Sequence, residues 1–208
     1  MKIQKIFDST VIRIQCNHKE LYTEPKISKS IEEIFNYLRV EYPEKISSTA
    51  ESYGGKSETS LGCISSIENI SALQPLMVWI GTQIMKAAPY IANFNPSSFV
   101  YTRTWINKMY KGCSIRSHSH GETKSDNRGV AIFYLQVPEN SSDLVFLNGN
   151  NEKFKLVEDY YNQNQEIIYA NICEGELLFH DNGIIHAITE HKNDIPRICL
   201  IFDFIYVK

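Results

Sequence analysis

The period of the apolar positions changes near residue 98. In KISKSIEEIFNYLRV, Ile27, Ile31, Ile34, Phe35 and Leu38 recur at helical spacing with Ser28 or Ser30 near the start, which predicts an amphipathic helix packed on another element. A second helix is expected from Gln74-Pro75, where proline is tolerated in the first turn, to about Ala88, burying Leu76, Met77, Ile80 and Ile84. Between them, residues 46–69 carry Gly54, Gly55, Gly62 and many serines without periodicity, which predicts a long loop able to close over a site. A strand-like run, TVIRIQC, precedes the first helix.

From Ser98 the runs SFVYTRTWINKMY, GVAIFYLQV, DLVFL, EIIYA, GELLF, GIIHAIT and RICLIFDFIYV are short, β-branched and aromatic, and separated by turn clusters such as PENSS, NGNN and HKND. Strands at this spacing predict a sandwich or barrel, mainly β, with the helices flanking an outer face. We expect one domain over 1–208, with 1–97 a helical and loop part packing on the barrel and 98–208 its β core.

Charge and cysteine usage narrow the function classes. A formal net charge of -3 in 208 residues gives no general attraction for nucleic acid or an anionic membrane, so a small molecule or a peptide segment is the expected partner. Five scattered cysteines (Cys16, Cys63, Cys113, Cys173, Cys199) without C-x-x-C spacing argue against a disulfide framework and a zinc ribbon. With no apolar leader in MKIQKIFDST and no long apolar span, a cytoplasmic location is expected. Oligomeric state has no signal.

The candidate chemistry lies in the histidines. His118 and His120 fall in SIRSHSHGE, where two residues apart on an extended strand share a face, and His186 falls in GIIHAIT near the other end of the strand region. Neutral imidazoles suit iron, zinc, copper or nickel, and three protein ligands with open positions make a catalytic centre rather than a structural one. Glu122 offers an alternative set, His120, Glu122 and His186, in the 2-His-1-carboxylate pattern. His18, His180 and His191 lack a partner at such spacing and are expected to be hydrogen-bonded or exposed. Arg197 lies eleven residues after His186; an antiparallel hairpin turning near His191–Asp194 would set it almost opposite Ala187, one strand over, to hold an anion between guanidinium and metal. GGKS at Gly54–Ser57 is not a phosphate loop, because Ala50 stands where that motif needs glycine.

These residues also resemble a known family. WINKMYKGCSIRSHSH reads W-x-N-x4-G-x5-H-x-H and is followed by FYLQVPENSSDLVF, GELLFHDNGIIHAI and PRICLIFDF, a series similar to the 2-oxoglutarate and iron(II)-dependent oxygenases, and among them to small bacterial and phage-type prolyl-hydroxylase-like members. The resemblance covers roughly 98–208. It implies a jelly-roll or cupin-like double-stranded β-helix holding iron(II) through the proximal pair and His186, with Arg197 on the far carboxylate of 2-oxoglutarate. It further implies that Asn107 and Tyr134 lie around the cosubstrate, and that O2 and 2-oxoglutarate serve to hydroxylate a C–H bond with release of succinate and CO2. No catalytic group beyond the metal centre is implied. The chain departs from the usual H-x-D in having His120 at the third position, and the insert GETKSDNR is long. A cupin-type metalloenzyme that does not use 2-oxoglutarate, and a non-catalytic jelly-roll binding module lined by Tyr101, Trp105 and Tyr134, are the competing readings.

Overall fold

The computed structural model describes residues 1–46, 57–64, 66–92, 94–121, 128–148 and 166–208. Along them run β1 (Lys2–Ile6), β2 (Ser9–Gln15), α1 (Glu20–Thr23), α2 (Pro25–Glu41), β3 (Ser57–Thr59), α3 (Gln74–Ile91), β4 (Ser98–Met109), β5 (Ile115–His118), β6 (Arg128–Gln136), β7 (Leu144–Leu147), β8 (Ile167–Tyr169), β9 (Glu176–Asp181), β10 (His186–Ile188) and β11 (Arg197–Val207). The strands form a large sheet in the order β1-β2-β9-β6-β11-β4-β3 and a small one in the order β5-β10-β7-β8, antiparallel throughout. This is the mainly β architecture with flanking helices that the strand pattern predicted.

Alternation along the large sheet's central strands divides the core in two. Ala131, Phe133 and Leu135 of β6, Leu177 and Phe179 of β9, and Leu200, Phe202 and Phe204 of β11 share one cluster with the apolar stripes of α2 and α3. Their neighbours Val130, Ile132, Tyr134, Leu178, Cys199 and Ile201 face the opposite way, toward Leu144 and Phe146 of the small sheet. The helices thus seal the outer face, and the site lies between the sheets. Ile27, Ile31, Phe35 and Leu38 are the buried residues of α2, and burying each such side chain contributes about 1.5–3 kcal/mol. Proline stands in the first turn of both α2 and α3, where its missing N–H costs no helical hydrogen bond.

Three local expectations change. Residues 57–59 are a strand rather than loop, pairing with Asn107–Met109 of β4. Polar contacts hold this segment, so no apolar period announces it: Arg39 and Tyr110 both bond the Glu58 carboxylate, and Ser60 Oγ accepts from Ile106 N at 2.9 Å. Residues 47–56 and 65 of the expected lid, with most of GGKS, lie outside the described residues. Next, β1 forms a hairpin with β2 through Phe7-Asp8, with Phe7 at φ 53°, a left-handed conformation that bulky residues rarely adopt; Phe-Asp carries no turn signature in sequence. The large sheet accordingly draws strands from both sides of residue 97.

Lastly, the hairpin expected to bring Arg197 opposite Ala187 does not form. Ala187 pairs with Val145 in the small sheet, whereas Arg197 pairs with Met109 in the large one. The chain crosses between sheets over residues 189–196, and buried His191 pins the crossing: its backbone bonds Cys113 and Gly112, its Nδ1 accepts from Ser142 N at 3.3 Å, and its Nε2 donates to Ile195 O at 2.8 Å.

Candidate metal centre

His118 and His186 are direct cross-strand partners on β5 and β10, which brings their ring centroids to 4.4 Å. His120 lies just past the end of β5, where its backbone N–H donates to Asn182 O at 3.0 Å, and its ring reaches 5.1 Å from that of His186 and 5.6 Å from that of His118. One nitrogen from each of the three lies within 4.8 Å of the others, a grouping that could be drawn onto a single ion. Glu122, the alternative proximal ligand, lies outside the described residues.

The hydrogen bonds of the three rings prepare them for a metal. Nδ1 of His118 donates to Arg116 O at 2.9 Å, and Nδ1 of His186 to Ile184 O at 3.1 Å. Nδ1 of His120 donates to the Asp203 carboxylate at 2.6 Å. A neutral imidazole anchored through Nδ1–H presents the Nε2 lone pair, which is the form that ligates. His191, with the opposite polarity at Nδ1, is spent on structure. His180 has the ligating polarity too: Nδ1 donates to Asp181 O at 2.7 Å, Nε2 is buried without a partner, and its ring is 4.8 Å from that of His186.

Burial, followed by repulsion from the other imidazoles, lowers His118 and His180 to about 4 and sends His186 well below the usual histidine range. In the metal-free protein these groups bind protons more weakly folded than unfolded. Their contribution to stability is therefore present above pH 6.5 and lost as the pH falls from there toward 4. We expect the melting temperature of the metal-free protein to drop steadily between pH 7 and pH 4.5, while His186→Phe, lacking one such group, shows a shallower slope. Equal slopes in calorimetry would contradict this.

A cavity of roughly 380 Å³, its mouth included, runs from His118, His120 and His186 between Asn107, Ile132, Leu144 and Ile201 to Arg197. Arg197 is only 1% exposed, yet no carboxylate among the described residues pairs with it; its Nη1 meets Ser142 Oγ at 3.3 Å and Met109 Sδ at 3.1 Å, and its Nε has no partner. Tyr134 stands against it, with the ring 5.0 Å from the guanidinium carbon and a buried hydroxyl that also lacks a partner. Burial pushes this phenol's pKa up, keeping it a donor. A buried guanidinium left unpaired costs several kcal/mol, so this end of the cavity fits an anion. The orphaned Arg197 Nε and Tyr134 hydroxyl, with the three imidazoles at the other end, are together what a carboxylate cosubstrate and a metal would engage.

A second opening, bordered by Thr59, Leu61, Arg103, Trp105 and Ser119, meets His118 and His120 from outside. Asn107 lines both spaces. Sequence reasoning placed the three histidines, Asn107, Tyr134 and Arg197 in one neighbourhood, and the structure brings all six together. It missed Asp203, Arg103, Ser142 and His180, none of which carries a spacing signal.

The family described as "Putative 2OG-Fe(II) oxygenase" matches residues 103–203, from the Arg103 beside Asp203 through both histidine segments to Asp203 itself. This matched stretch, just under half of the chain, is similar to the 2OG-Fe(II) oxygenase family. Solved structures share the fold of this chain at low identity. The non-heme alpha ketoglutarate dependent epimerase SnoN from nogalamycin biosynthesis is 12% identical with a TM-score of 0.61, over 94% of this chain and 77% of that one. HygX from Streptomyces hygroscopicus with nickel and 2-oxoglutarate bound is 10% identical with a TM-score of 0.55, over 94% and 82%. A Pseudomonas putida prolyl-4-hydroxylase is 10% identical with a TM-score of 0.53, over 95% and 93%. The chain spans 59% of the length of a 2OG-Fe(II) oxygenase family oxidoreductase from Burkholderia pseudomallei. No curated protein matches the sequence.

Proposed function

We propose that this chain is a single-domain iron(II)- and 2-oxoglutarate-dependent dioxygenase that hydroxylates a C–H bond of a small molecule or peptide side chain, releasing succinate and CO2. The observation that carries the reading is Arg197, a buried guanidinium with no carboxylate partner among the described residues, at one end of a cavity whose other end is three imidazoles. A metal-binding jelly roll that did not use 2-oxoglutarate would have no need of an unpaired cation there, and a binding module would need neither end.

In this reading His118, His120 and His186 hold iron(II), each oriented through its Nδ1 bond, and Arg197 with the Tyr134 hydroxyl binds the far carboxylate of the cosubstrate. Iron(II), 2-oxoglutarate and O2, when bound, supply the oxidising chemistry. Ile132, Leu144 and Ile201 keep the cavity between the two ends dry, which strengthens the charge pairing at Arg197. Asn107 stands where cosubstrate and substrate spaces meet and contributes an amide to either. The substrate enters by the Thr59, Arg103 and Trp105 opening. The -3 net charge and five unpaired cysteines support a cytoplasmic enzyme acting on small or peptide substrates rather than nucleic acid or membranes; no helix among the described residues is long and apolar enough to cross a membrane.

Anaerobic titration of the metal-free protein with iron(II) and then 2-oxoglutarate tests this, with the visible metal-to-cosubstrate charge-transfer band as the readout, followed by succinate formation on admitting O2. Metal binding without the band would favour a cupin-type enzyme. No metal binding at all would leave a β-sandwich binding module.

A further inference from the structure

The donor set of three neutral imidazoles lacks the anion that an H-x-D pair would bring, and a carboxylate stands one bond behind it. Asp203 Oδ1 accepts from His120 Nδ1 at 2.6 Å, with the two side chains 9% and 6% exposed. Its other oxygen accepts from Arg103 Nε at 2.8 Å. His120 is held on a further side by Trp105, whose ring stacks on it at 5.5 Å and 25°, with the Arg103 guanidinium carbon 5.9 Å from the indole.

A local irregularity builds this clamp. Asp203 pairs with Arg103 and the next residue, Phe204, pairs with Tyr101, so β4 carries one extra residue, Thr102, at that point. Below the extra residue Phe99 and Tyr101 face the helices; above it Trp105 and Met109 face the small sheet. The bulge reverses the parity of β4 and turns Arg103 inward onto Asp203, a use to which bulges beside functional sites are put.

We infer that Asp203 is the positioning residue of the metal centre: through His120 it fixes the ligating tautomer and lends negative charge to a donor set that has none of its own, with Arg103 holding the carboxylate in place. A carboxylate on the far nitrogen of a ligating imidazole raises its basicity, and losing such a partner typically costs about 10–100-fold in metal affinity. The inference rests on the metal-centre reading above, and its failure can be told apart from that reading's.

The test uses the full chain, as wild type, Asp203→Asn and Asp203→Ala, loaded with iron(II) or copper(II). Asparagine keeps an oxygen able to accept from Nδ1–H but removes the charge; alanine removes both. We expect Asp203→Asn to raise the iron(III)/iron(II) potential, because the anion favours the ferric state, and to weaken metal binding about tenfold. Asp203→Ala should weaken it by up to about 100-fold and reduce the imidazoles counted by pulsed EPR on copper(II) from three to two. A role confined to holding β11 against β4 would lower the melting temperature without moving potential or imidazole count. Wild-type affinity, potential and imidazole count in both folded variants would overturn the inference while leaving the metal centre intact. A wild-type protein that binds no metal would overturn both, and failure of both variants to fold would make Asp203 a structural residue and overturn the inference alone.

Discussion

His186→Ala should abolish tight iron(II) binding and with it any 2-oxoglutarate band. His186 is the central imidazole of the site: it is paired to His118 across β5, its ring lies between 4.4 and 5.1 Å from the other two, and it is 2% exposed. With this nitrogen gone, His118 and His120 remain near the end of β5 with no third donor from β10, and two imidazoles from one segment are a poor grip on a divalent ion in water. The expected loss is at least ~100-fold in metal affinity, read by calorimetry or competition with a chelating dye, the fold being checked by far-ultraviolet circular dichroism. An unaltered affinity would mean that the metal, if any, sits elsewhere, and the functional reading would fall with it.

At Arg197, replacement by methionine should raise stability while weakening cosubstrate binding, and replacement by alanine should weaken binding without that gain. Arg197→Met keeps an unbranched apolar side chain but removes the buried charge together with the Nη1 bonds to Met109 Sδ and Ser142 Oγ. In the protein without cosubstrate that charge has no carboxylate partner among the described residues, so its removal should stabilise the fold by about 1–4 kcal/mol, or several degrees in melting temperature. The same change should weaken 2-oxoglutarate binding by about 2–5 kcal/mol, tens- to thousands-fold, because the cosubstrate's far carboxylate would be buried unpaired. Arg197→Ala should weaken cosubstrate binding equally and, by leaving a void, lose the stability gain. Metal affinity should be unchanged in both. The melting curve of each variant, with and without saturating 2-oxoglutarate, reads both quantities at once, since the cosubstrate raises stability only as far as it binds. A destabilised Arg197→Met that still binds 2-oxoglutarate normally would assign the guanidinium to structure.

Asp203 and Arg197 also show why the carboxylate was hard to find by reading along the chain. Arg197 follows a histidine strand in sequence, yet no hairpin joins the two, and it reaches the site from the opposite sheet. Asp203 sits in RICLIFDFIYV, a run that announces a buried strand, and nothing in that run says that its single acidic residue faces an imidazole 83 positions earlier.

Local periodicity along the chain encodes the fold class. The 3.6-residue period of Ile27, Ile31, Phe35 and Leu38 and the alternation in β6, β9 and β11 decide which faces are apolar, and these faces suffice to specify two sheets with helices outside. The H-x-H pair, the distal histidine and the arginine carry their chemistry in residue type. The tertiary structure alone decided pairings between distant segments: His186 beside His118 through strand register, Arg197 opposite the histidines across the sandwich, and polar residues 57–59 as a strand held by side-chain bonds rather than by an apolar period. It alone decided parity, because one extra residue in β4 turns Arg103 inward while Tyr101 faces out, and a shift of one residue reverses every side chain beyond it. Periodicity is a property of a segment, whereas register, bulges and crossovers are settled by which segments bury the most apolar surface together while leaving no polar group stranded.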